Sequence, residues 1–262
     1  ASEALPRMLR FATGLATGAV AGYCCPKIDA LAPYTAPIED AMRMLPLPKP
    51  SLKLTYFDIE GVAEKIRLTC RVGGLPFADH RVKFEEWAAM KPTTKFGQLP
   101  LLEVDGETYA QSSAILAYVG KLTGLYPSHP RAALRVDEAL GLHDDLGAAI
   151  RPSFAVMRDE ALSLKERQRR QAEMRARIAD TTLPCTFAHY ERLLQASGSG
   201  WLAGPRPTVA DMAVLAQLRW LTSGAIDGIP ASCMDSYPQL KAFYARACSL
   251  PAVDKWLAAH AK

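Results

Sequence analysis

Gly97-Gln98-Leu99-Pro100-Leu101-Leu102-Glu103-Val104-Asp105-Gly106-Glu107-Thr108-Tyr109-Ala110-Gln111-Ser112-Ser113 is the stretch on which the fold turns. Leu101–Val104 and Glu107–Ala110 are short strands joined by Asp105-Gly106, a dipeptide whose backbone accepts the positive φ values of a type I′ hairpin. Gln111-Ser112-Ser113 then opens a helix through Ile115, Leu116 and Val119, with a hydroxyl placed to cap orphan N–H groups. Upstream, Lys53-Leu54-Thr55-Tyr56-Phe57 alternates like a strand, and Ala63, Ile66 and Cys70 recur at helical spacing until Gly73-Gly74, with Pro76 just beyond. His80-Arg81-Val82 extends a second strand. Pro100 opens the third strand without an N–H to give the ladder. If the Leu99-Pro100 bond is cis, Leu99 turns its N–H and C=O outward, free to pair with an extended peptide.

The order strand, helix, strand, hairpin, helix is that of a thioredoxin-like α/β domain. Tyr56-Phe57 ending the first strand, Gly61-Val62-Ala63-Glu64 opening the first helix, Trp87 with Lys91, Gly97-Gln98-Leu99-Pro100, and Gln111-Ser112 together resemble the N-terminal domain of glutathione transferases, the sigma class in particular. The similarity continues through Val136-Asp137, Asp144-Asp145, Trp201-Leu202-Ala203-Gly204 with Thr208-Val209-Ala210-Asp211, and Leu250 to Trp256. The resemblance implies a glutathione transferase fold: an extension over 1–51, a thioredoxin-like glutathione-binding domain over 52–127, and an all-α C-terminal domain over 134–262. Glutathione, as substrate, is the small molecule it implies.

Composition excludes other classes. The chain of 262 residues is 49% hydrophobic and 22% charged, ordinary for a globular protein, and its net charge of +4 comes from interleaved acids and bases. Nucleic acid is therefore not an expected partner. Six cysteines show no C-x-x-C and no Cys/His ligand spacing, so reduced thiols and no metal are expected.

By resemblance, Tyr56 would be the catalytic residue, with a core tyrosine at a strand end as the alternative. A free thiol has a pKa of about 8.5, so little thiolate exists at neutral pH, and a phenol O–H aimed at the sulfur favours the charged form. Gln111 and Ser112 would hold the γ-glutamyl end at a helix N-terminus, which suits a carboxylate. Leu99, beside Pro100, would pair with the cysteinyl backbone. Trp87, Lys91 and Gln98 would meet the glycyl end, with packing under the loop as the alternative for Trp87 and simple solvation for Lys91. Asp145 would reach the ligand amine of a neighbouring subunit in a homodimer, or else lie on a solvated helix face. One position departs from the pattern. Sigma-class enzymes usually carry an arginine where this chain has Val62, and loss of a cation beside a thiolate raises its pKa, with Glu60 adding to the penalty. Weak or absent catalysis is the expectation from that pair.

The second half is helical after Tyr126-Pro127-Ser128-His129-Pro130. Val136, Leu140, His143 and Ala149 begin a long helix, His143 being placed on its surface. Charges from Lys165 to Arg177, with Glu166 and Glu173 among them, indicate an exposed helix. Thr208-Val209-Ala210-Asp211 is a capping-box variant ahead of Met212, Leu215 and Leu218.

Residues 1–51 lie outside the resemblance. Phe11 to Pro26 carries no charge, is flanked by Arg7, Arg10 and Lys27, and has glycines at 14, 18 and 22, a ridge that lets two helices approach closely in a membrane. A helix of about 16 residues covers roughly 24 Å against a hydrocarbon core of roughly 30 Å. Three readings stand: a membrane-inserted or partner-buried helix within 7–27, a targeting segment, or a flexible arm. The prolines from Pro26 to Pro50 then form a strap or an irregular lead-in, with Asp40 to Leu45 a single helical turn. These features favour an organellar, membrane-associated location, mitochondrion or plastid, over the cytoplasm, and a glutathione-binding or idle subunit of a membrane complex is the alternative to an enzyme acting on a small apolar electrophile.

Overall fold

The structure, a computed structural model, describes residues 49–260. The arm, with its uncharged segment, its glycine ridge, the expected anchor at 7–27 and the turn at 40–45, lies outside the described residues.

Four strands form one sheet: β1 (Leu52–Phe57), β2 (Ala78–Val82), β3 (Leu101–Val104) and β4 (Glu107–Ala110), in the order β2-β1-β3-β4. β1 and β2 run parallel, joined by helix α1 (Glu64–Val72), while β3 is antiparallel to both β1 and β4. Parallel neighbours require such a crossover, and the hairpin needs only two residues. Asp105 and Gly106 have φ of 50° and 91°, the left-handed pair expected of the turn. Helix α2 (Phe84–Met90) lies between β2 and β3, and α3 (Ser112–Thr123) follows β4.

The apolar spacing in α1 marks one stripe, yet the helix is buried on every side from Glu64 to Cys70. Its polar residues are tolerated because nearly all are paired. Arg67, fully buried, donates to Glu64 Oε2 at 3.1 Å, Asp79 Oδ1 at 3.0 Å and the Ile59 carbonyl at 2.8 Å, and the Thr69 hydroxyl donates to the Lys65 carbonyl at 2.7 Å.

The C-terminal half is all-helical: α4 (Pro130–Ala155), α5 (Leu164–Arg177), α6 (Leu183–Ser197), α7 (Val209–Thr222), α8 (Pro238–Cys248) and α9 (Pro251–Ala259), with a π-helical turn at Ile178–Thr182. α7 is its axis, buried without a break from Val209 to Leu218. α5 is charged and exposed as expected, with Glu166 clamping Arg169 and Arg170, except at Arg175. That side chain turns inward, its guanidinium 5.0 Å from the Phe154 ring centroid. α9 returns to α1, where Trp256 Nε1 donates to Glu64 Oε1 at 2.7 Å. Burying one tryptophan of this kind contributes up to ~4–6 kcal/mol, so among the described residues the last helix helps to hold the first. His143 is not a surface residue: only 13% of its side chain is exposed, and its Nδ1 lies 2.9 Å from Asp144 Oδ1.

Candidate active site

Strand register brings the motifs together. Thr55 pairs with Leu101, which pairs in turn with Ala110, so one step further Tyr56, Pro100 and Gln111 share one end of the sheet. No single segment of sequence states this; it follows from the hairpin and the antiparallel β1–β3 pairing.

Tyr56 is only 8% exposed, and its hydroxyl lies under the loop between β1 and α1. The Val62 N–H donates to Tyr56 Oη at 3.4 Å, which leaves the phenol proton free to point elsewhere. Burial raises the phenol pKa against the smaller opposing effects of the Val62 hydrogen bond and the Arg67 charge. Tyr56 therefore stays protonated at neutral pH and can donate a hydrogen bond rather than take a proton. Gly61 makes the close approach possible. Its φ is +45°, and a Cβ there would stand 2.6 Å from Tyr56 Oη. The same loop is tied by Arg67 to the carbonyls of Ile59 and Glu60, and by the Glu60 carboxylate to Arg219 Nη2 at 2.9 Å. Val62 is 48% exposed and brings no charge.

The Leu99-Pro100 peptide bond is cis. Leu99 makes no backbone hydrogen bond among the described residues, so its N–H and C=O are available to a ligand. Gln111 has φ 76° and ψ 107°, and α3 begins after it with no side-chain cap. The capping hydroxyl expected at Ser112 does not form, because Ser112 is itself the first helical residue and its side chain lies beyond the cap position. The orphan N–H groups of α3 thus face the open end of the sheet with Ser112 beside them.

Trp87 stands on α2 with its edge against Phe57, ring centroids 5.7 Å apart, and Phe57 stacks on Phe84 at 4.6 Å. It packs within the loop region and is half-buried. Lys91, exposed at the end of α2, runs along Gly97: a Cβ there would be 3.5 Å from Lys91 Cε. Lys91 and the exposed Gln98 are therefore on one loop, and Lys91 forms no ion pair among the described residues. Asp145 is not brought to this group. It is exposed on α4, in a cleft of about 360 Å³ shared with Glu138, His189 and Arg192. No group of His, Cys, Asp or Glu among the described residues is arranged to hold a metal.

Comparison with known proteins matches this geometry to a family. The family model for the glutathione S-transferase N-terminal domain matches residues 52–121, and that for the C-terminal domain matches 158–260. Glutathione S-transferase 1 of Ascaris suum is 37% identical over 213 residues, covering 81% of this chain and 98% of that one. The chain belongs to the glutathione S-transferase family. Probable glutathione S-transferase 7 of Caenorhabditis elegans is 33% identical, over 78% of this chain and 94% of its own. Among solved structures, prostaglandin synthase D of Nilaparvata lugens superposes with a TM-score of 0.70 at 30% identity, covering 81% of this chain and all of that one. The glutathione S-transferase from Ascaris lumbricoides superposes at 0.66 with 33% identity, over 81% and 98%.

Within this transferase the sequence pattern misses three residues of the site region. Gly61 is needed for clearance, Arg67 for holding the loop, and Arg219 for pairing Glu60. Glu64 and Arg67, spaced i and i+3, are the one signal in the sequence for any of them. Nothing local marks Arg219.

Proposed function

We propose that the protein is a sigma-like glutathione transferase in which Tyr56 holds the glutathione thiolate. Glutathione lies along Leu99 as an added strand, its γ-glutamyl carboxylate at the N-terminus of α3 by Gln111 and Ser112, and its glycyl end toward Trp87, Lys91 and Gln98. The thiol loses its proton to solvent, the Tyr56 O–H donates to the resulting thiolate, and the sulfur attacks a small apolar electrophile. Isomerisation by the same thiolate is the variant that the resemblance to the Nilaparvata lugens synthase supports. In a homodimer, Asp145 of one protomer would serve the ligand amine of its partner.

The observation that carries the reading is the Tyr56 hydroxyl, held by the Val62 N–H and kept protonated by burial, at the sheet end where Leu99 and α3 leave backbone groups open. Calorimetric titration should give a glutathione Kd between about 1 μM and 1 mM. Tyr56→Phe should lower kcat/KM toward an aryl halide by roughly 100-fold, and Val62→Arg should raise it. A wild type without activity that Val62→Arg does not awaken removes the enzyme reading.

A second reading, an accessory subunit fixed to an organellar membrane complex by residues 7–27, is favoured by the apolar arm and by Val62. Among the described residues no helix is long and apolar enough to cross a membrane, and this reading places the anchor in the arm. Retention of the full chain in membranes through carbonate extraction, and release on deletion of residues 1–48, are the results this reading requires.

A further inference from the structure

The loop over Tyr56 is held from two sides, and only one hold comes from its own domain. Arg67 of α1 takes the Ile59 and Glu60 carbonyls at 2.8 and 3.2 Å. The Glu60 side chain turns the other way, to Arg219 on α7, 159 residues along the chain, at 2.9 Å. Arg219 gives up solvent for this placement: 24% of its side chain is exposed, and its Nε is enclosed without a hydrogen-bond partner. Desolvating a guanidinium is costly, and the Glu60 carboxylate is what offsets it.

With valine at position 62 the loop supplies no cation to a thiolate beside Tyr56, and a bare Glu60 two residues away would oppose one. We propose that Arg219 is a positioning residue for thiol activation: it neutralises Glu60 and fixes the Glu60-Gly61-Val62 turn so that the Val62 N–H stays on Tyr56 Oη. The assignment rests on the reading of Tyr56 given above. It also changes the meaning of Glu60, which in isolation penalises the thiolate and in this fold is cancelled from the second domain.

The other charges around the loop are already balanced. Arg67 is met by Glu64 and Asp79, Asp58 by Arg81 at 2.9 Å, and Lys65 looks toward Asp144 at 3.9 Å. Tyr244 and Cys248 of α8, which face Arg219, are kept neutral by burial. Arg219 is thus the charge whose removal leaves Glu60 uncompensated.

The test titrates the thiolate of bound glutathione by its ultraviolet absorbance and measures kcat/KM against pH, for wild type, Arg219→Gln, Arg219→Lys, Glu60→Gln and the Glu60→Gln/Arg219→Gln double variant. Arg219→Gln should raise the thiol pKa by about half to one pH unit and cost about 3- to 10-fold in kcat/KM at neutral pH, with glutathione KM changed by less than about twofold. Arg219→Lys should keep most of the activity, and the double variant should return the pKa to the wild-type value. An unchanged thiol pKa in Arg219→Gln, or a pH-independent loss that Glu60→Gln does not reverse, overturns the assignment. Failure of wild type to bind glutathione overturns the thiol site itself, a result distinct from an unchanged pKa in a protein that binds.

Discussion

Helices α3 and α7 begin in opposite ways, although the same backbone chemistry applies to both. Every helix starts with unsatisfied N–H groups and a partial positive charge. At α7 the chain answers with its own side chain. The Asp211 carboxylate accepts from the Thr208 N–H at 2.7 Å, the Thr208 hydroxyl at 2.8 Å and the Leu202 N–H at 2.8 Å, all in the core. At α3 no side chain caps the helix, and Gln111 is held at a φ of 76° that a side chain rarely adopts. The first terminus is closed and structural; the second is left without a side-chain cap and with a strained residue before it. A buried polar group is tolerable only when paired, so an open terminus belongs at the surface, where water or a ligand completes it.

Three substitutions probe that contrast, from the largest expected effect to the smallest. Asp211→Ala strands the Leu202 and Thr208 N–H groups in the core and should destabilise the fold by about 3–5 kcal/mol, lowering Tm by roughly 10 °C. A loss below about 1 kcal/mol in denaturant titration would erase the difference between the two termini. Ser112→Ala should do the reverse, weakening glutathione by about 10-fold in calorimetry while moving the Tm of the ligand-free protein by less than about 1 °C. Comparable damage to stability would make Ser112 a second Asp211. Gln111→Gly removes the Cβ that resists positive φ and should stabilise the ligand-free protein by about 0.5–1 kcal/mol while weakening glutathione. Destabilisation by Gly would mean the Gln111 side chain supports the fold and that the backbone is not strained on the ligand's behalf.

The two termini also differ in how far sequence alone reaches. The α7 box was legible from Thr208 and Asp211, three residues apart, because that spacing places the pair within one turn. The bond from Leu202 was not, since it crosses an irregular loop. At α3 the position of the helix was legible and its cap was not: Ser112 looks like a capping hydroxyl until the conformation of Gln111 makes it the first helical residue. His143 and Arg175 were misplaced on exposed faces for a related reason. Helical spacing says which residues share a side, and neighbouring helices decide which sides are covered.

Sequence by itself determined the thioredoxin-like order of elements, the Asp105-Gly106 hairpin, the proline at the head of β3, the Tyr56 strand end and the capped start of α7, because each is written in turn chemistry or periodicity over a few residues. Tertiary structure decided the rest. The convergence of Tyr56, Pro100 and Gln111 depends on strand register, the burial of α1 on all sides depends on α3, α7 and α9 packing against it, and the balance of charge at Glu60 depends on Arg219 in the other domain. The physical reason is range: backbone conformation is set by near neighbours, whereas desolvation and charge pairing are set by whatever the folded chain brings alongside.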